Sequence, residues 1–178
     1  MAGATPQEAV HNFVTPLQLA LSCVTNAVLD WRGGYRPGAV HGVVLNDGEA
    51  VRFPSAGLAI RLGQSYEVIL ADPPRGPYQV HTRAYRYALE DDAEREIIAY
   101  HWHPEQTPRR RHPHLHVGYG AGTQLRVDLR DAHLPTRRIS LEEFVRCVIV
   151  DFHVQPRRVD WDAVLTETQR AFDDWRTS

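Results

Sequence analysis

Five of the ten histidines in this chain fall in one stretch, EIIAYHWHPEQTPRRRHPHLHVGYG, at residues 96–120. His101 and His103 are separated by one residue, and so are His112, His114 and His116. In an extended strand, alternate side chains point to the same face, so each group presents its imidazoles together. Ile97, Ala99, His101 and His103 then share one face of a first strand. His112, His114, His116 and Gly118 share one face of a second, with Leu115, Val117 and Tyr119 on its apolar side. If the two strands pair as a hairpin, cross-strand neighbours lie roughly 4.5–5.5 Å apart at Cβ. The result is a cluster of imidazoles on one sheet face.

Imidazole titrates near neutral pH and is also the commonest ligand for zinc and related ions. Two chemistries follow. In a metal-independent phosphodiester site, one histidine accepts the proton of a ribose 2′-hydroxyl while another protonates the leaving oxygen. Arg109, Arg110 and Arg111, between the histidine groups, would neutralise charge on the phosphoryl oxygens. Arg137 and Arg138, ahead of a helix N-terminus, are further phosphate-binding candidates. Tyr100, Trp102 and Tyr119 are candidates for stacking on unpaired bases. In the alternative, the histidines ligate a divalent metal such as zinc, with Glu105 or Asp128 completing the shell. Two histidines from one strand and one from the other reach a single ion more easily than three from one strand.

All 20 basic residues are arginine, so no lysine nucleophile or Schiff base is available. Gly-x-Ser-x-Gly, Walker and dinucleotide-binding patterns do not occur in the sequence. A net charge of -2 argues against a globally basic nucleic-acid binder. No apolar run approaches a membrane span, and the N-terminal residues do not read as a signal peptide. Cys23 and Cys147 sit in apolar helical patterns and read as core residues, which suits a reducing cytoplasm.

The elements that must position the histidines are also legible. A helix is expected from Thr15 as N-cap, through Leu17, Leu21, Val24 and Val28 to Trp31, closed by Gly33 and Gly34. Ser140 with Glu143 forms a capping box for a second helix, striped by Leu141, Phe144, Val145, Val148, Ile149 and Phe152. A third begins at Asp160, with Val164 and Thr168 on one side. The middle of the chain reads as β. GAVHGVVLNDGEAVRF (residues 38–53) suggests a hairpin about Asn46-Asp47-Gly48, and Asp91–Arg95 suggests a turn between two longer strands. QLRVDL (residues 124–129) is a further short strand. The expectation is a single α+β domain over residues 1–178. It has an antiparallel sheet of about five to seven strands, an N-terminal helix and two C-terminal helices.

Two family resemblances attach to these residues. HPHLHVG (residues 112–118) resembles the His-x-His-x-His strand of histidine-triad nucleotide hydrolases, which implies His114, the middle histidine, as a nucleophile. More broadly, YRYAL, YHWHPE, PHLHVG and HLPTRRISLEEFVRCVIVDF, spanning roughly residues 78 to 152, resemble the small TumE-like toxin proteins. Leu115 stands where those proteins carry a lysine. That resemblance implies a toxin–antitoxin or defence context and a cognate antitoxin as partner. Together the expectations are a cytoplasmic protein acting on RNA or a nucleotide, with no required cofactor. The alternatives are a histidine-ligated metallohydrolase, a histidine-triad-like hydrolase, or a non-catalytic binding or antitoxin-like module.

Overall fold

The computed structural model describes residues 2–32, 34–70, 76–104, 112–122 and 133–176. Arg109 to Arg111, Glu105, Asp128 and the expected strand at 124–129 lie outside the described residues. Among the described residues, nine strands and three α-helices follow one another as β1 (Ala2–Gly3), α1 (Pro6–Leu21), β2 (Leu29–Arg32), β3 (Val40–Leu45), β4 (Val51–Phe53), β5 (Leu58–Leu70), β6 (Tyr78–Asp91), β7 (Glu96–Trp102), β8 (His114–Val117), β9 (Leu134–Pro135), α2 (Leu141–Val150) and α3 (Trp161–Arg176). All nine strands join one sheet, and every pairing is antiparallel. Its main path runs β2-β3-β5-β6-β7-β8-β9, with β1 beside β6 and β4 beside β5. The fold is therefore α+β, with one N-terminal helix and two C-terminal helices.

The first helix begins earlier than its apolar pattern suggests. Thr5, not Thr15, is the N-cap: its hydroxyl accepts the Glu8 N–H at 3.2 Å, and the Glu8 carboxylate accepts the Ala4 N–H at 2.8 Å. Pro6 takes the first helical position and Pro16 lies inside the helix. The same Thr-Pro signal occurs twice, and only the first copy has a glutamate placed to answer the hydroxyl. The helix also stops at Leu21 rather than Trp31. The Gln18 side chain donates to the Ala27 carbonyl and accepts from the Leu29 N–H, folding the chain back so that Leu29–Arg32 joins the sheet.

The expected hairpin about Asn46-Asp47-Gly48 does not form. β3 and β4 do not pair with each other; both pair with the same edge of β5, Val40–Val44 against residues 63–67 and Val51–Phe53 against residues 58–60. The two strands run in one direction, so Asn46 and Asp47, both at positive φ (52° and 57°), make an offset within one edge rather than a reversal. The expected Asp91–Arg95 turn is present, with the Asp91 carboxylate accepting the N–H groups of Ala93 and Arg95.

The helices cover one face of the sheet. Phe13 of α1 meets Tyr66 of β5 at 5.6 Å between ring centroids, and Phe144 of α2 meets Tyr87 of β6 at 5.7 Å. Leu141, Phe144, Val145, Val148 and Ile149 of α2 are all buried, and Val164, Leu165 and Thr168 of α3 join them. Ser140 and Glu143 form the reciprocal capping box: Ser140 Oγ accepts the Glu143 N–H at 3.1 Å, and Glu143 accepts the Ser140 N–H at 2.9 Å. We expect Ser140→Ala to cost about 0.5–2 kcal/mol through the lost cap. Val148→Asp should cost more, because it leaves an unpaired carboxylate in the core. Urea denaturation of both variants checks the order; if both unfold like the parent, α2 does not anchor the fold as described.

Candidate functional site

The face away from the helices carries the histidines. Strand register places them: His101 of β7 lies opposite His114 of β8, and Ala99 opposite His116. β9 continues the row, with His114 opposite Pro135 and Leu115 opposite Leu134. One further step of that register sets His133 beside His116, and their rings are 4.4 Å apart between centroids. On the other flank Arg86 of β6 is opposite His101, and Gly63 of β5 is opposite Arg86. The face thus reads, across the strands, from a small residue through a guanidinium to a block of imidazoles.

Five rings make up the block: His101, His103, His114, His116 and His133. Neighbouring centroids are separated by 5.9 Å for His101–His103, 4.5 Å for His101–His116, 5.1 Å for His114–His116 and 4.8 Å for His114–His133. Four of these were expected together from the sequence. His112, the fifth expected member, has an exposed side chain. Its contribution is the backbone carbonyl, 2.9 Å from Nδ1 of His114. His133 joins the block from a segment whose sequence signal, a lone histidine before Leu134-Pro135, shows no alternation. Only the pairing of β8 with β9 brings it in.

The aromatic candidates take other places. Tyr100 and Trp102 alternate with His101 on β7 and so face the helix layer. Tyr100 meets the Phe144 ring edge-on at 6.5 Å. The Arg138 guanidinium lies 3.6 Å from the Trp102 ring centroid, a cation–π contact, and donates to the Thr82 carbonyl. Arg137 is paired to Glu143 of the capping box. These residues tie the segment before α2 to the sheet. Tyr119 is exposed in a short 3₁₀ turn after β8.

The histidines form one side of a cleft of about 750 Å³ that is also lined by Val44, Arg61, Gly63, Ser65 and Arg86. The two guanidinium groups are fixed by carboxylates: Arg86 to Glu96 at 2.7 Å, and Arg61 to Glu90 at 3.2 Å and Glu94 at 3.2 Å. His114 is 3 % exposed. A carbonyl oxygen can only accept, so His114 Nδ1 carries the proton given to His112, and in the neutral tautomer so fixed Nε2 is the nitrogen with the lone pair. That Nε2, and Nε2 of His101, are buried with no hydrogen-bond partner among the described residues. Burial first, then the neighbouring His116, Arg86, His114 and His103, pushes His101 down to about 3, so its ring is neutral near pH 7.

A metal ion requires several imidazole nitrogens brought close together. Two groups qualify among the described residues: His101, His103 and His114, and His114, His116 and His133, with ligand nitrogens within 4.8 Å of one another in each. Around zinc, nitrogens at about 2.0–2.1 Å from the ion stand roughly 3.3 Å apart, a closure that side-chain rotation supplies. The His112 carbonyl on His114 Nδ1 is the outer support usual for a metal-bound imidazole, fixing tautomer and ring plane. No protein-family model, curated protein or solved structure matches the chain.

The depressed His101 couples the site to stability. The unfolded chain holds this proton up to the ordinary value of 6.5, whereas the fold releases it down to about 3. Between those limits the unfolded state binds more protons, so the contribution is fully present above about 6.5 and is lost as pH falls toward 3. Urea unfolding at a series of pH values should show this slope, and His101→Gln should flatten it relative to wild type. Parallel pH profiles for the two proteins would place the imidazole in a solvated, unperturbed position.

Proposed function

We propose that the protein is a metal-dependent hydrolase of phosphate esters, with the histidine block as its metal centre. The observation that carries this reading is the pair of buried Nε2 atoms of His101 and His114, without partners among the described residues, one with its other nitrogen fixed by a carbonyl. Acid–base catalysis by imidazole alone needs a ring that exchanges a proton with substrate or water. Two buried ring nitrogens without partners among the described residues, one of them on a ring whose protonation burial opposes, suit a cation better.

His101, His103 and His114 would hold the ion, which would supply Lewis acidity and a water of lowered pKa for hydrolysis of a phosphate ester at the cleft. Arg86 and Arg61, held in fixed orientation at the cleft by their carboxylates, are the groups nearest to phosphoryl oxygens. The likeness to TumE-like proteins supports RNA as the polymer and an antitoxin as the partner. The likeness of residues 112–118 to histidine-triad hydrolases supports a nucleotide, with His114 as a ligand in place of a nucleophile.

The test compares three samples on single-stranded RNA and on a nucleotide: wild type as purified, wild type stripped with chelator, and His114→Ala. We expect bound divalent metal in the first by elemental analysis. Stripping should abolish turnover and lower the melting temperature, with activity restored by added metal. His114→Ala should lower turnover by about 10²-fold or more, since even outer-shell partners of metal ligands cost 10–100-fold. Full activity after stripping, with loss in His114→Ala, would instead support metal-independent cleavage by paired imidazoles. Three inactive samples with no metal bound would favour a binding module.

A further inference from the structure

The two histidine groups are not independent sites. His114 belongs to both, and it has one nitrogen to give, because Nδ1 is committed to the His112 carbonyl. A neutral imidazole nitrogen carries one in-plane lone pair, so Nε2 of His114 serves one ion at a time. Among the described residues neither group contains a carboxylate. Dinuclear centres hold two ions about 3.5–4 Å apart. Five imidazole rings supply no negative charge to offset the repulsion of two adjacent dications.

We infer that the block binds one divalent ion per chain in either of two overlapping settings, His101–His103–His114 or His114–His116–His133, with His114 as the shared ligand. This rests on the metal-centre reading above and deepens it by assigning a role to His133. The first setting is built on β7, where His101 lies opposite Arg86, and the second on β8 and the residue before β9. His103, His116 and His133 all line the cleft with Arg61 and Arg86, so both settings open onto it. His133, carried on the segment that leads through β9 to α2, thus offers the ion a second position along the same cleft.

Redundancy makes this testable without activity. Zinc is titrated into chelator-stripped full-length protein by calorimetry, and cobalt binding is followed by its visible spectrum. Wild type should bind one ion. His103→Ala removes the first setting and His133→Ala the second, so each should still bind one ion. If the settings are equally populated, Kd rises about 2-fold in each variant. The double variant His103→Ala/His133→Ala keeps His101, His114 and His116 yet breaks both settings, and should bind about 10²-fold more weakly or worse. Both substitutions fall on partly exposed side chains, and unchanged melting of the stripped proteins verifies their folding. Two ions per wild-type chain, or loss of binding in either single variant, would overturn the shared-ligand inference while leaving a metal centre in place. Undiminished binding in the double variant would also overturn it. No binding by wild type would bring down the metal-centre reading itself.

Discussion

The register between β7 and β8 is the constraint on which the site depends. Side chains alternate with period 2, so a slip of one residue on β8 would turn His114 and His116 toward the helices and Leu115 and Val117 toward the cleft. Two features oppose that slip. Leu115 and Val117 belong on the side where Tyr100 and Ile98, their register partners, join the core. At the other end the Gly118 N–H donates to the Ile97 carbonyl at 2.9 Å, and a Cβ on Gly118 would stand 2.1 Å from the Glu96 carbonyl oxygen. Only glycine admits that approach, so shifting any neighbour into the position would push the strands apart. The apolar pattern and a single glycine therefore aim the histidines together.

Behind this face the helix layer makes a flat chemical surface affordable. Helices on the far side bury Tyr85, Tyr87 and Leu89 of β6, leaving Arg86, Ala88 and Glu90 for the open face. Glu90 is 4 % exposed and paired with Arg61, so the charge beside the histidines is buried only where a guanidinium answers it. The same discipline fails on the helix side at one place. Glu142 of α2 is fully enclosed, and burial raises its carboxyl pKa. The neighbouring Tyr87 phenol is pushed up as well, first by burial and then by Glu142. Burial thus makes the anion the costly form of this side chain.

Much of this was legible from local chemistry, because the relevant signals are short-range. The capping box at Ser140, the apolar stripe of α2, the Asp91 turn and the alternation of His101 with Tyr100 and Trp102 each involve residues within a few positions of one another. The failures concern long-range pairing. Asn46-Asp47-Gly48 has the composition of a hairpin turn, but β5 is long enough to take both flanking strands on one edge, and its pairing overrides the local signal. The Thr15-Pro16 pair copies a helix start that Thr5-Pro6 already provides, and the earlier copy wins through Glu8. His133 belongs to no pattern at all. Its role is created when β9 pairs with β8, seventeen positions upstream of it at His116. Trp102 and Tyr100 show the converse: alternation set their face toward the helix layer, while Trp102 also lines the cleft beside His101 and His103.

A cluster of this kind also bears on why the fold tolerates it. Two buried ring nitrogens without hydrogen bonds are unfavourable in an unliganded chain, by roughly 1–3 kcal/mol each on the usual scale for an unsatisfied polar group. Protonating His101 would let its nitrogen donate, but burial and the surrounding cationic and imidazole groups oppose the charge. The strands cannot turn the rings away without reversing the apolar face as well. The rings are therefore held where they are by the packing of Leu115, Val117, Tyr100 and Ile98 on the opposite side of the same two strands. That arrangement uses core packing to fix two ring nitrogens in place, and on the proposed metal-centre reading an ion bound there would offset what they forfeit. A hydrogen-bonding substrate would relieve one nitrogen at a time, whereas a cation would relieve both at once, which is the physical ground of that proposal.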